Sequence, residues 1–234
     1  MIDAALIARF RADCAIDRDY GPPIGIAVSG GPDSLALLLL AHAALPGQVY
    51  AATVDHGLRA ESAAEAAFVA QVCRDLDVPH ATLPVRVEPG NTQAQARAAR
   101  YEALGSHFAN RNVLNFATAH HADDQAETLL MRLNRGSGVA GLAGVRPWSI
   151  FFPEGVVAEM LLLRPLLGWR REELGAVVRS AGLSPVEDPS NTDDAYDRAR
   201  IRKAIADVDW LDPLAMSQSA RYLAEAEEVV ERAV

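Results

Sequence analysis

Between Ile24 and Asn134 the chain alternates, four times, a short apolar run with a longer stretch of helical length. The runs 24–29, 49–54, 80–87 and 113–119 have the length and the small or β-branched residues of strands. The stretches 33–44, 61–77, 92–109 and 123–134 read as helices; in the second, Phe68, Val72 and Leu76 form one apolar stripe. Repeated β-α units with short connections leave few foldable alternatives. They predict an α/β domain with a doubly wound, mostly parallel sheet and right-handed crossovers. The 24–29 run is apolar and ends in small residues, as a strand buried on both faces requires. Pro84 places the 80–87 strand at a sheet edge.

Ligands of such sheets bind beyond the carboxyl ends of the strands. Ser29, Asp55 and His120 stand at strand ends and are therefore expected to share one crevice. The first strand runs into Ser29-Gly30-Gly31-Pro32-Asp33-Ser34, and a Leu-rich helix begins at once. A turn rich in glycine and serine at a helix N-terminus offers backbone N–H groups and the positive end of the helix dipole, which together hold an anion. The dinucleotide fingerprint G-x-G-x-x-G is absent, and so is the lysine of a G-x-x-x-x-G-K-[ST] loop. Asp33 stands beside the anion instead. A carboxylate there requires a metal ion between itself and the phosphates.

A second group of charged residues follows the fourth strand. His121 and Asp124 are three apart, as are Asp124 and Glu127, so they share a helix face directed at the strand-end crevice. Two neighbouring carboxylates stay ionised together only beside a cation, either a metal or a substrate ammonium. The plainer alternative makes Asp123 a helix N-cap and leaves Glu127 in solvent. Zinc is disfavoured, because H-E-x-x-H is missing and no cysteine is near.

Beyond Asn134 the texture changes to the glycine-rich NRGSGVAGLAGVRP, which reads as a mobile lid or partner-facing loop. A last strand is expected at 160–167 and helices at 170–181 and 195–207. Asp212-Pro213 reads as an N-cap and first helical residue, opening a final amphipathic helix. We expect residues 1–209 to form the catalytic domain and 210–234 a linker helix, the chain ending mid-pattern as one cut from a longer protein would.

No run of the 234 residues approaches the ~18 apolar residues of a membrane helix. The N-terminus carries both charge signs and does not read as a signal peptide. Cys14 and Cys73 are too far apart to suggest a disulfide framework or metal pair, and Cys73 lies among Val69, Val72 and Leu76 at core spacing. A cytoplasmic protein is the expectation. The net charge of −9 argues against a general nucleic-acid-binding surface, although Arg198, Arg200, Arg202 and Lys203 make one basic cluster.

The SGGPDS turn resembles the SGGxDS loop of PP-loop ATP-pyrophosphatases, an adenine nucleotide alpha-hydrolase-like, Rossmann-like fold. HHADDQAET with RGSGVAGLAG is similar to the signature of the tRNA(Ile)-lysidine synthetase family, whose N-terminal catalytic domain this chain would be. VDHGLR, QARAARYEAL, RPLL and EDPSN resemble further blocks of that family in the same order, from about Ile24 to Lys203. Ala119 and Ala199 depart from the glycine and asparagine common at those positions.

The resemblance implies a ligase that uses ATP and Mg2+ to adenylate the wobble cytidine of a tRNA(Ile) with a CAU anticodon. It then joins L-lysine to that base, releasing AMP. It places ATP on Ser29, Gly30, Gly31, Pro32, Asp33 and Ser34, the adenosine near Asp55 and His56, and the metal on Asp33. Asp124 and Glu127 would receive the ammonium groups of lysine, and Arg164 or Arg202 its carboxylate or the pyrophosphate. Arg97, with Arg100 as the second choice, and His121 would meet phosphate. Monomer and homodimer both stay open. Two other classes were weighed: another PP-loop synthetase or tRNA sulfur transferase, and a nucleotide-holding regulatory domain. Sulfur transfer needs a thiolate, and neither cysteine falls at a strand end. A regulatory domain has no need of the acidic pair.

Overall fold

A computed structural model of the chain describes residues 2–14, 23–55, 61–85, 93–185 and 197–233. Its centre is a six-stranded sheet of β1 (Ile24–Ala27), β2 (Val49–Asp55), β3 (His80–Pro84), β4 (Asn115–Ala117), β5 (Trp148–Phe151) and β6 (Met160–Leu163), in the order β3-β2-β1-β4-β6-β5. All pairs are parallel except β5 with β6. The α/β, mostly parallel architecture is as expected, with β3 at an edge. The antiparallel edge strand β5 was not expected.

Alternation along β1 separates two cores. Ile24 and Ile26 face the layer of α2 (Pro32–Ala44), α3 (Glu61–Asp75) and α7 (Arg171–Ser180), where Leu35, Val69, Val72, Cys73, Leu174 and Val178 are buried. Gly25 faces the other side, where α4 (Gln93–Ala109) presses Phe108 so close that a Cβ on Gly25 would lie 2.7 Å from the ring. The Leu-rich face of α2 is buried all round, because α1 (Ala4–Cys14) covers the side turned away from the sheet. Arg9 holds α1 in place. Its guanidinium stacks over the Trp169 ring at 4.0 Å and donates to Glu173 Oε1 at 2.8 Å and to the Gly168 carbonyl at 2.6 Å. The Trp169 indole N–H donates to Asp13 Oδ2 at 2.7 Å.

The remaining helices gather at one end: α5 (Ala122–Asn134), the single turn α6 (Val139–Leu142), α8 (Asp197–Asp207) and α9 (Pro213–Ala233). The glycine-rich stretch is tied down within this group. Gln125 donates to the Val145 carbonyl and accepts from its N–H, and Arg132 donates to the Gly141 carbonyl at 2.5 Å. Asp212 caps α9 as predicted, accepting from the Leu214 N–H at 2.9 Å. The expected linker packs onto α5 and α6, burying Ala220, with Arg146 paired to Glu227. Among the described residues, no helix is long and apolar enough to cross a membrane.

Candidate active site

A crevice of about 600 Å3 opens where β2, β1 and β4 end, the place at which connections leave the sheet in opposite directions. Its floor is Ser29, Gly31, Pro32, Asp33 and Ser34. Gly30, at φ +88°, bends the chain so that Ser29 and Ser34 meet: the Ser29 N–H donates to Ser34 Oγ at 3.1 Å, and Ser34 Oγ donates to the Gly31 carbonyl at 3.0 Å. The first α2 bond runs from the Leu35 N–H to the Gly31 carbonyl, so the N–H groups before it have no acceptor within the helix and are free to meet an anion. Asp33 stands in this first turn. Its Oδ1 is buried without a hydrogen-bond partner among the described residues, as suits a carboxylate awaiting a cation.

Behind Asp33 lies His121, 1% exposed. Its Nε2 is 3.4 Å from Asp33 Oδ2 and 3.5 Å from Asp124 Oδ2, and its Nδ1 is 3.6 Å from Asp123 Oδ2. Burial alone would lower the pKa of this imidazole, but the three carboxylates outweigh it and raise the value to about 9. His121 is therefore a cation at neutral pH. For Asp123, burial is likewise outweighed, by His121, the Arg171 N–H (2.8 Å) and Arg170, which hold it well below the usual carboxylate range. One positive ring thus joins the anion turn to the start of α5. The Trp169 carbonyl accepts the Ala122 N–H at 2.9 Å and fixes that start.

Glu127, also 1% exposed, receives Arg202 Nε at 2.7 Å, with Arg171 at 3.7 Å and Arg198 at 4.0 Å. These three arginines and Asp124 line the crevice; Glu127 lies behind them. The cation that the acidic pair requires is therefore supplied to Glu127 by the protein itself. Opposite, α4 contributes Arg97, Arg100 and Tyr101, and Arg97 Nη2 lies 3.3 Å from His120 Nε2. His120 faces the crevice with Thr118, whose Oγ1 lies 3.0 Å from His120 Nδ1. Burial, opposed by Asp124 and reinforced by Arg97, Arg164 and Arg198, lowers its pKa to about 4, leaving a neutral ring beside a cationic one.

A family model described as a PP-loop domain matches residues 8–208. The chain is 53% identical to the tRNA(Ile)-lysidine synthase of Novosphingobium aromaticivorans over 97% of its own length and 69% of the relative's. The chain belongs to the tRNA(Ile)-lysidine synthase family. Its identity to the enzyme of that name from Zymomonas mobilis is 47%, covering 89% of this chain and 63% of the relative. For Hyphomonas neptunium the identity is 48%, over 81% and 52%. The chain therefore spans from about half to somewhat over two thirds of the length of these curated relatives. The U34-tRNA thiolase NcsA from Methanococcus maripaludis has the same fold, with a TM-score of 0.75 at 16% identity over 97% of this chain and 78% of that one.

Within this lysidine synthase family member, the crevice gathers Ser29, Gly31, Pro32, Asp33, Ser34, Asp55, Arg97, Arg100, Asp124 and Arg202 from the residues singled out in the sequence. Three of the chosen side chains stand elsewhere. His121 is a buried brace and its neighbour His120 takes the place facing the crevice, because the N-cap of α5 is His121, whose N–H donates to Asp124 Oδ2 at 3.2 Å. Asp123 is accordingly not the N-cap. Glu127 is covered by its arginines. Arg164, 8% exposed, is directed into the β5–β6 layer, donating to the Arg146 carbonyl at 2.9 Å and to Ser149 Oγ at 3.3 Å. Gly30 shapes the turn without lining the crevice, and His56 lies outside the described residues. Thr53, Ser62, Glu65, Tyr101, Thr118, Arg171 and Arg198 line the site without having been singled out. For Arg171 and Arg198 the signal was available: each lies on a helix beside the acids it serves.

Proposed function

We propose that this chain ligates L-lysine to the wobble cytidine of a tRNA(Ile) with a CAU anticodon, through an adenylated cytidine, releasing pyrophosphate and AMP. The observation that carries the reading is one crevice with an anion turn and an orphaned Asp33 oxygen on its floor, an acid, Asp124, in its lining, and arginines from three helices around the rim.

ATP enters with its β- and γ-phosphates on the Ser29–Ser34 turn and its adenosine against Ala27, Thr53, Val54 and Asp55. Asp33 fits a magnesium ion. Among the described residues no group of three or more His, Cys, Asp or Glu could hold a metal, so phosphate and water would complete the shell, as magnesium prefers. The ion would neutralise the phosphates and the departing pyrophosphate. The cytosine carbonyl oxygen attacks the α-phosphorus as the bond to pyrophosphate breaks, and Arg97 and Arg100 face the charge that develops. The ε-amine of lysine, having given up a proton, then attacks the activated ring carbon, and the carbon–oxygen bond to AMP breaks. Asp124 receives an ammonium of lysine; Arg171, Arg198 or Arg202 receives its carboxylate. Glu127 positions those arginines, and His121 positions Asp33 and Asp124.

Sulfur transfer through a protein thiolate gains no support. Cys14 and Cys73 are both buried, and desolvation pushes each thiol up to about 12. The test is direct: the chain is incubated with ATP, labelled lysine and an isoleucine tRNA bearing CAU, then assayed for label on the RNA and release of AMP. AMP release that requires RNA but not lysine, with no label transferred, would reassign the chemistry to another adenylating enzyme.

A further inference from the structure

A second concavity of about 600 Å3 adjoins the crevice, between α4 and β5, with Arg97, Ala98, Ala99, Tyr101, Glu102 and Phe151 as its lining. Arg97 and Tyr101 line both spaces, so the two are neighbours that meet at these side chains. The volume lies in the range of sites that hold small organic molecules. Its chemistry is unusual for a solvent-facing helix surface. Arg97 Cζ lies 5.0 Å from the centre of the Tyr101 ring, and the Phe151 ring stands 6.5 Å from Tyr101, tilted by 53°. The buried Phe116 backs both, at 6.4 Å from Tyr101 and 6.3 Å from Phe151. Glu102 is held toward the loop after β5, its Oε1 accepting the Glu154 N–H at 2.7 Å and the Ser106 hydroxyl at 3.1 Å.

We infer that this groove seats the unpaired nucleobase next to the reacting cytidine, an inference that rests on RNA entering the crevice as proposed above. Aromatic rings and a guanidinium plane are the surfaces on which single-stranded bases stack. Arg97 occupies the boundary, where the phosphate joining the two nucleotides would lie when one base enters the crevice and its neighbour the groove. The adenosine of ATP, as proposed above, has its own wall in Ala27, Thr53, Val54 and Asp55 at the ends of β1 and β2, none of which lines the groove. The groove accordingly explains how a loop whose phosphates meet an acidic protein is kept in register: one base is held by its face.

The test uses the full chain and a stem-loop RNA carrying the CAU anticodon, with 2-aminopurine at each position flanking the cytidine in turn. Binding should quench the probe at one flanking position. Phe151→Leu should abolish that quench and weaken RNA binding roughly 5- to 150-fold, the worth of one stacked base, while ATP affinity stays near wild type and circular dichroism shows the fold intact. An abasic nucleotide at the quenched position should cost the wild type the same factor and cost Phe151→Leu nothing further. Phe151→Trp should restore the quench. Unquenched probes at both positions with wild-type protein, or equal abasic penalties in wild type and Phe151→Leu, would overturn the inference. Lysine transfer by the same wild-type preparation is scored separately. Quenching without transfer leaves the groove standing and removes the ligase reading; transfer without quenching does the reverse.

Discussion

Replacing His121 by asparagine should flatten the pH dependence of stability between pH 6.5 and 8.5 in magnesium-free buffer. The ring is 1% exposed, lies within 3.6 Å of three carboxylates and has its pKa raised from 6.5 to about 9. A group whose folded pKa is raised stabilises the fold fully below its unfolded value, and that stabilisation disappears as pH climbs through the folded value. At 1.36 kcal/mol per pKa unit, the whole contribution is about 3 kcal/mol, of which about 2 kcal/mol is lost by pH 8.5. For a chain of this size that is a fall in Tm of about 4–8 °C. The difference between wild type and variant isolates the ring. His80, His107 and His120 have lowered pKa values, so the unfolded chain loses their protons between pH 6.5 and about 7.5 and stability rises a little, an opposing change common to both proteins. Cys14 and Cys73 contribute only once the unfolded thiols titrate, near pH 9. Differential scanning calorimetry of both proteins across the window is the assay. A variant that loses as many degrees as wild type would show that His121 carries no extra proton in the fold, and the account of the charged brace would fail.

Asp33→Asn should lower kcat for AMP release by about 10²–10³-fold, with far-UV circular dichroism like wild type, since it removes a charge facing the phosphates and no core group. Unchanged turnover would dismiss Asp33 as the metal residue. Glu127→Gln should release Arg202, Arg171 and Arg198, weakening the docking of α8 by about 1.5–3 kcal/mol. Hydrogen exchange would register this as faster exchange of 197–207 with the sheet amides unaltered; uniform loss of protection would mean that the pair serves global stability instead. Gly25→Ala should cost about 1–3 kcal/mol, because Phe108 already fills the space of the new methyl group. A melting temperature within 1 °C of wild type would show that α4 retreats freely.

The parallel core was legible because each strand and helix in it announces itself locally. Short apolar runs alternate with stretches of helical length, the first run ends in Ser29-Gly30-Gly31, and the crevice then follows from topology alone. The antiparallel β5 was not legible. Trp148-Ser149-Ile150-Phe151 is a short run behind a glycine-rich loop, and only pairing with Met160–Leu163 makes it a strand. The burial of His121 was not legible for a related reason. Spacing assigns residues to a helix face, but the helix begins one residue earlier than predicted, and the Trp169 carbonyl that fixes its start lies 47 residues downstream. Burial of Glu127 and Arg164 likewise depends on α8 and on Ser149, contacts that spacing along the chain does not encode.

The seating of α1 sets a schedule for the newborn polypeptide. This helix is made before the sheet, yet its berth, Gly168, Trp169 and Glu173, is among the later parts of the sheet domain to leave the ribosome. Until then the outer side of the Leu-rich α2 has no cover, and Phe10, wholly buried in the finished protein, has no berth. Domains emerge at about 5–20 residues per second, so the exposed interval lasts on the order of ten seconds or more. During it the nascent chain presents an oily helix to whatever is nearby. The same late segment carries the carbonyl that starts α5, so the crevice is completed no earlier than the berth of α1.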